Sequence, residues 1–186
     1  MVFGRRRRLT LAEQLRGWLW PYIGWRRAGR YLLMRVQRMP GTPHGIAAGL
    51  AAGVAVSFTP FIGFHFLMAF ALAWILGGNY LAAAIGTIVG NPWTFPLIFT
   101  AAYEVGCLMV GRTPTGLAVL ANLSWEHLLG DAWSLFWPMA VGSVPLAILA
   151  GIVTYFPLVR MIAAFQARRR QRLGRLRAAL RATPAD

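Results

Sequence analysis

Between Arg38 and Glu104 the chain carries no Asp, Glu, Lys or Arg. No soluble fold of 186 residues needs a charge-free stretch that long. At a rise of about 1.5 Å per residue, a fraction of it would cross the ~30 Å hydrocarbon core of a bilayer as helix. The chain as a whole is 58% hydrophobic. Soluble domains lie nearer about 45–50% by a wider count that includes glycine. The excess has to face something other than water.

Charge is confined to the ends. All 19 basic residues are arginines, every one except Arg112 lies within 1–38 or 160–181, and the net charge is +14. Such an excess suits either nucleic acid or an anionic membrane surface. The arginines directly flank apolar segments, so the bilayer with its anionic headgroups is the expected partner and nucleic acid is not. The single cysteine, Cys107, sits in an apolar run and reads as a small buried hydrophobe. No His/Cys cluster has metal-ligand spacing. The opening MVFGRRRR resembles a signal-peptide n-region, but Arg16, Arg26, Arg27 and Arg30 interrupt the residues after it, so a cleaved signal is not expected.

Residues 9–38 are predicted to be amphipathic helix. Leu11, Leu15, Trp18, Leu19 and Tyr22 share one face, Trp20 and Trp25 suit the headgroup region, and Pro21 with Gly24 divides the segment. Met39-Pro40-Gly41-Thr42-Pro43 is a turn cluster with Thr42 or His44 opening the next helix. Pro60 removes a donor and disfavours helix at Thr59. It splits the apolar run around it into Ile46–Phe58 and Phe61–Leu76, each shorter than the roughly 20 residues of a span. Gly45, Gly49 and Gly53 have the spacing that lets membrane helices approach closely, here within one chain. Gly77-Gly78-Asn79 is a second break, Tyr80–Val89 a short apolar piece, Gly90–Pro96 a third break, and Leu97–Val110 the next piece. Residues 117–131 read as a short amphipathic helix or a surface loop. Ala132–Val159 reads as one kinked or tilted span containing Pro138, Pro145 and Pro157. The tail 160–181 is basic and helical, with Leu173, Leu176 and Leu180 on one stripe.

These elements predict an all-α, polytopic membrane fold of the bacterial inner-membrane type. It has short proline-broken helices, some of them re-entrant, between amphipathic N- and C-terminal helices. The chain divides into a basic segment 1–38, a transmembrane domain 39–159 and a basic tail 160–186. Basic flanks stay cytoplasmic, so both ends are expected there and the number of crossings is even. With one crossing in Ala132–Val159, region 44–111 supplies either three short helices or one span plus a re-entrant hairpin.

The proline breaks are the candidate site. Irregular backbone at membrane depth survives only where it is packed in protein or lines a cavity, and broken helices aim their ends at substrates. The Thr59-Pro60 and Asn91-Pro92 breaks lie 32 residues apart, a hint of two related hairpins. Candidate substrate-binding residues are Thr59, Pro60, Gly63 and His65 at the first break and Asn91, Pro92 and Thr94 at the second. Glu104, a carboxylate in an apolar run, joins them with Arg112 or His65 as its expected partner. Asn91 and Thr94 are equally suited to capping freed backbone. Arg35, Arg38 and Arg112 are candidates for phosphate or lipid headgroups. No nucleophile–base pair, paired carboxylates or phosphate-cradling glycine loop is present, so neither an enzyme nor a cofactor is expected.

The run Pro40-Gly41-Thr42-Pro43-His44, Gly49-x-x-x-Gly53-Val54-x-Val56-Ser57-Phe58-Thr59-Pro60-Phe61-x-Gly63-x-His65, Gly78-Asn79 and Gly86-Thr87-x-Val89-x-Asn91-Pro92-x-Thr94-Phe95-Pro96 resembles the DUF2062 family of bacterial membrane proteins. The resemblance covers 39–96, and the flanks match in general character only. Some relatives look like fusions to glycosyltransferase domains, which implies lipid-linked sugars or the cell envelope. With the proline breaks and the arginine-rich ends, two roles are expected. One is transport or flipping of an anionic lipid or lipid-linked envelope precursor. The other is a non-catalytic scaffold, homo-oligomeric or bound to an envelope-synthesis enzyme.

Overall fold

A computed structural model describes residues 25–113 and 132–182. The stripe expected at Leu11–Tyr22, the break at Pro21 and Gly24, the segment 117–131 and the side chains of Leu176 and Leu180 lie outside the described residues. The chain divides into two compact units, residues 1–38 and 39–186. Among the described residues all regular structure is helical.

The first unit contributes helix α1, Trp25–Gln37, with an arginine, Arg35, in its last turn. In the second unit, α2 spans Pro43–Val56. Thr42 is its N-cap, its hydroxyl accepting from the Gly45 amide at 3.0 Å, and Pro43 occupies the first turn, where its missing N–H costs nothing. Helix α3 spans His65–Ile75 and begins four residues later than predicted. Phe61–Phe64 is instead a turn: the Ile62 amide donates to the Pro60 carbonyl and the Phe64 amide to Phe61, and Gly63 sits at φ +93°. Helix α4 is Tyr80–Gly86, capped by Asn79 Oδ1 accepting from the Ala82 amide, and a 3₁₀ turn at Thr87–Val89 finishes it. Helix α5 is Phe95–Met109.

Helix α6 runs unbroken from Ala132 to Ala182, through the boundary expected at Val159 and past all three prolines. Each proline leaves the carbonyl four residues earlier without its helical donor. At Pro138 that carbonyl belongs to Ser134, and the Arg112 guanidinium donates to it at 3.0 Å.

Helix α2 is the centre of the second unit. It is apolar all round, and eleven of its fourteen residues are buried against α3, α4 and α6, as expected for a helix without a polar face. Gly49 lies against the Asn79 backbone and Gly53 against Ala83, where a Cβ would come within 2.1 Å of the carbonyl oxygen. Gly86 returns the contact at Leu50. This constant offset makes α2 and α4 parallel and in near-backbone contact, the role expected of the glycine spacing. The Gly45 carbonyl accepts from the Asn79 amide at 2.7 Å, so α3 returns the chain to the start of α2 and runs antiparallel to it. Helix α6 runs antiparallel to α2, with Gly151 facing Ala55 and Gln166 Nε2 donating to the Gly41 carbonyl. It runs antiparallel to α5 as well, through a reciprocal glycine contact in which Gly106 meets Pro138 and Gly142 meets Ala102.

Side-chain size is distributed inside out. Among the described residues the largest fully buried side chains are Ile46, Ile162, Pro138, Cys107, Ser57 and Ser143, with no aromatic or leucine in that set. Large apolar groups such as Phe66, Leu67, Trp74, Leu97, Ile148 and Val153 face outward. Among the described residues one helix, α6, is long and apolar enough to cross a membrane, and its apolar stretch is almost entirely exposed.

Candidate functional site

The two proline breaks meet. Ser57, at the end of α2, donates from Oγ to the Gly53 carbonyl at 3.0 Å and to the Thr87 carbonyl at 3.4 Å, tying α2 to the 3₁₀ turn. A Cβ on Gly90 would touch both Ser57 and the Phe95 ring at 3.0 Å. The His65 ring lies 5.6 Å from Phe95, joining the start of α3 to the start of α5. Phe61 reaches Phe136 of α6 at 5.8 Å.

Their height on α6 is set by the helix contacts. Gly142 opposes Ala102, and Gly151 faces Ala55. Counting residue for residue along antiparallel partners, Phe95 lies seven before Ala102 and Ser57 two after Ala55. Both fall level with Leu149, inside the apolar half of α6 and well away from either of its ends. Helix α2 therefore packs beside the C-terminal part of that apolar stretch and α5 beside its N-terminal part, while α3 and α4 lie against α2 and Phe61 of the first break reaches Phe136.

The two breaks differ in kind. The first reverses the chain, since α3 runs back along α2. The second does not: α4 is parallel to α2 and α5 antiparallel to α6, so α5 continues in the direction of α4. The pair is one hairpin and one broken helix, not two related hairpins.

Most polar groups at this waist are spent on backbone. Asn91 Oδ1 accepts from the Trp93 amide at 2.9 Å and the Thr94 amide at 3.1 Å, while its Nδ2 donates to the carbonyls of Ile88 and Val89. Thr94 Oγ1 donates to the Val89 carbonyl and accepts from the Asn91 amide at 3.0 Å. Thr59 Oγ1 donates to the Val56 carbonyl at 2.7 Å. Pro60 and Pro92 shape the turns, and Gly63 supplies a φ that side-chain-bearing residues rarely adopt.

Two candidates keep an uncommitted atom. His65 Nε2 and Glu104 Oε1 are buried without a hydrogen-bond partner. His65 opens α3, whose first turn has no side-chain cap. Glu104 lies two residues from Ala102 on α5, away from the waist, and among the described residues it pairs with neither Arg112 nor His65. Arg112 is committed to Ser134. Arg35 donates to the Tyr31 hydroxyl at 3.1 Å within the first unit, where Arg38 is exposed at the end of α1. The contacts that join the two breaks run through Ser57, Thr87, Gly90, Phe95 and, of the predicted residues, His65; Thr59, Asn91 and Thr94 bond within their own breaks, and Glu104 and Arg112 lie apart.

Sequence reasoning does not single out His44 and Tyr155 for a role. Their side chains meet at 2.9 Å, and His44 Nε2 lies 3.1 Å from the Leu76 carbonyl. The carbonyl only accepts, so Nε2 carries a proton, and Nδ1 pairs with the Tyr155 hydroxyl. His44 thereby satisfies an end carbonyl of α3 and clasps α2, α3 and α6.

A model of the family described as "Uncharacterized protein conserved in bacteria (DUF2062)" matches residues 26–171, and the chain belongs to that family. No curated protein and no solved structure matches it.

Proposed function

We propose that this DUF2062 protein is a multi-pass protein of the bacterial inner membrane. Both arginine-rich ends are cytoplasmic, and it moves or flips an anionic lipid or lipid-linked envelope precursor. The observation that carries the reading is the inverted distribution of side-chain size. A core of glycine, alanine and serine beneath outward Phe66, Trp74 and Ile148 leaves an apolar surface far larger than water tolerates, whereas lipid accepts it.

In this reading α2 and α3 form a re-entrant hairpin of about half-bilayer depth, being about 21 Å and 16 Å long. Helices α4 and α5 make one broken crossing and α6 the second, an even count that agrees with basic residues at both ends. The waist then lies near mid-depth. Its irregular backbone is tolerated there because Ser57, Asn91 and Thr94 satisfy it from within. A polar solute would need uncommitted polar groups around a wet path. The waist spends nearly all of its own, which points to an amphiphile whose tail stays in hydrocarbon.

The same internal saturation favours a second reading, a scaffold or accessory subunit for an envelope-synthesis enzyme. Reconstitution separates the two. The purified chain goes into phosphatidylcholine vesicles holding a trace of fluorescent phosphatidylglycerol, and exchange between leaflets is read by quenching from outside. Accelerated exchange that falls in His65→Ala supports lipid movement. No exchange, with an enzyme co-purifying at one-to-one stoichiometry, leaves the scaffold.

A further inference from the structure

Between α2, α3 and α6 lies a cavity of about 450 Å³. Its floor is the alanine stripe Ala48, Ala51 and Ala55, whose small side chains leave a trough along α2. Its rim on α6 is Ile148, Ile152 and Phe156, all exposed. That volume is typical of small-molecule sites, but those hold convergent polar groups in their walls. Here polarity gathers at one end, where Tyr155 and His44 meet. Ile148, Ile152 and Phe156 recur every fourth residue, and the next position on that stripe is Arg160. Arg160 is exposed and makes no ion pair among the described residues, whose single acid, Glu104, lies on α5. The cavity is therefore carbon-walled, open on the face that carries the outward apolar side chains, and positively charged just beyond its polar end.

We propose that this cavity is a slot for one acyl chain of an anionic membrane lipid, with the Arg160 guanidinium taking the headgroup. The proposal rests on the membrane location under Proposed function and not on lipid transport. A trough one side chain deep suits a flexible chain. A helix about 10 Å across is too wide for it. The charge selects the headgroup: guanidinium pairs with phosphate through parallel hydrogen bonds, and no acid on α2, α3 or α6 among the described residues competes.

Gly151 offers the means of testing it. A Cβ there would sit 3.5 Å from the Ala55 Cβ, an ordinary contact, so Gly151→Ala leaves the slot open. Gly151→Leu fills it, and Ala147→Phe fills it from the same helix should the leucine variant not fold. The full chain is reconstituted in phosphatidylcholine vesicles. These contain a small fraction of phosphatidylglycerol bearing a photoactivatable diazirine near the end of one acyl chain. After irradiation, adducts are mapped by mass spectrometry. Adducts should concentrate at Ala51, Ala55 and Ile152, persist in Gly151→Ala and be lost in Gly151→Leu. Arg160→Gln should reduce the preference for phosphatidylglycerol over an identically tagged phosphatidylcholine about tenfold. Adducts spread evenly over Phe66, Trp74 and the other outward side chains, or unchanged when the slot is filled, overturn the slot while leaving the membrane reading intact. Release of the chain from vesicles by alkaline carbonate overturns both.

Discussion

Asn91 shows how one side chain holds a break open without offering it to a ligand. Its oxygen takes two amides and its nitrogen reaches two carbonyls, so the turn closes on itself. Asn91→Ala removes the side-chain acceptor of the Trp93 amide and one of the two acceptors of the Thr94 amide, whose other is the Asn91 carbonyl, at a cost of about 1–3 kcal/mol. Thr94→Val should cost a similar amount, while Thr94→Ser, which keeps the hydroxyl, should stay near wild type. Thermal unfolding in detergent measures all three. Arg112 is a second instance. The sequence suggests a headgroup contact for it, yet it stands in for the donor that Pro138 deletes beneath Ser134. Arg112→Met should lower the melting temperature. In the double variant with Pro138→Ala, which restores the helical donor, the same change should cost less. Equal losses in the two backgrounds would show that Arg112 does not serve the freed carbonyl.

At the scale of elements, glycine sets the spacing between helices. A methyl on Gly53 would meet the Ala83 oxygen at 2.1 Å, and one on Gly106 the Pro138 oxygen at 1.7 Å. Gly53→Ala and Gly106→Ala must push α4 off α2 and α6 off α5, and overpacking of this kind costs about 1–3 kcal/mol or more. Both variants should melt lower than Gly151→Ala, where the methyl has room. Gly53 stands out in the sequence because Gly45, Gly49 and Gly53 repeat at helical spacing. Gly106 and Gly142 do not, because each is a lone glycine whose meaning depends on the register of two helices far apart in the chain. The interruptions of helix at Pro60, Pro92 and Gly77-Gly78-Asn79 are legible for a related reason: proline and glycine act on their own backbone. Whether a break reverses the chain is decided by packing, so the first break as hairpin and the second as continuation emerge only from the contacts of α2 with α4 and α5 with α6. In the sequence the tail after Val159 reads as a separate segment because arginine begins at Arg160. A change of polarity does not end a helix, and α6 passes through it.

For the whole molecule, the arrangement makes a specific statement about depth. Helix α2, with α3 and α4 against it, has one half of the apolar stretch of α6, and α5 has the other. If the chain spans the bilayer twice, residue 113 ends on the side opposite to residue 168, and the tip of the α2–α3 hairpin stays inside. Single cysteines in a Cys107→Ser background distinguish this from three full crossings in region 44–111. A membrane-impermeant maleimide should label Thr113→Cys from the periplasm and Arg168→Cys only after the cytoplasmic face is opened. Ile62→Cys, at the hairpin tip, should resist labelling from both faces while still reacting with a lipid-soluble maleimide. Three full crossings carry α2 across the membrane and place Ile62 at the periplasmic surface, where the impermeant reagent reaches it as readily as Thr113. The outcome at Ile62 therefore decides the topology, because the ends are cytoplasmic under either arrangement and only the depth of the first proline break differs.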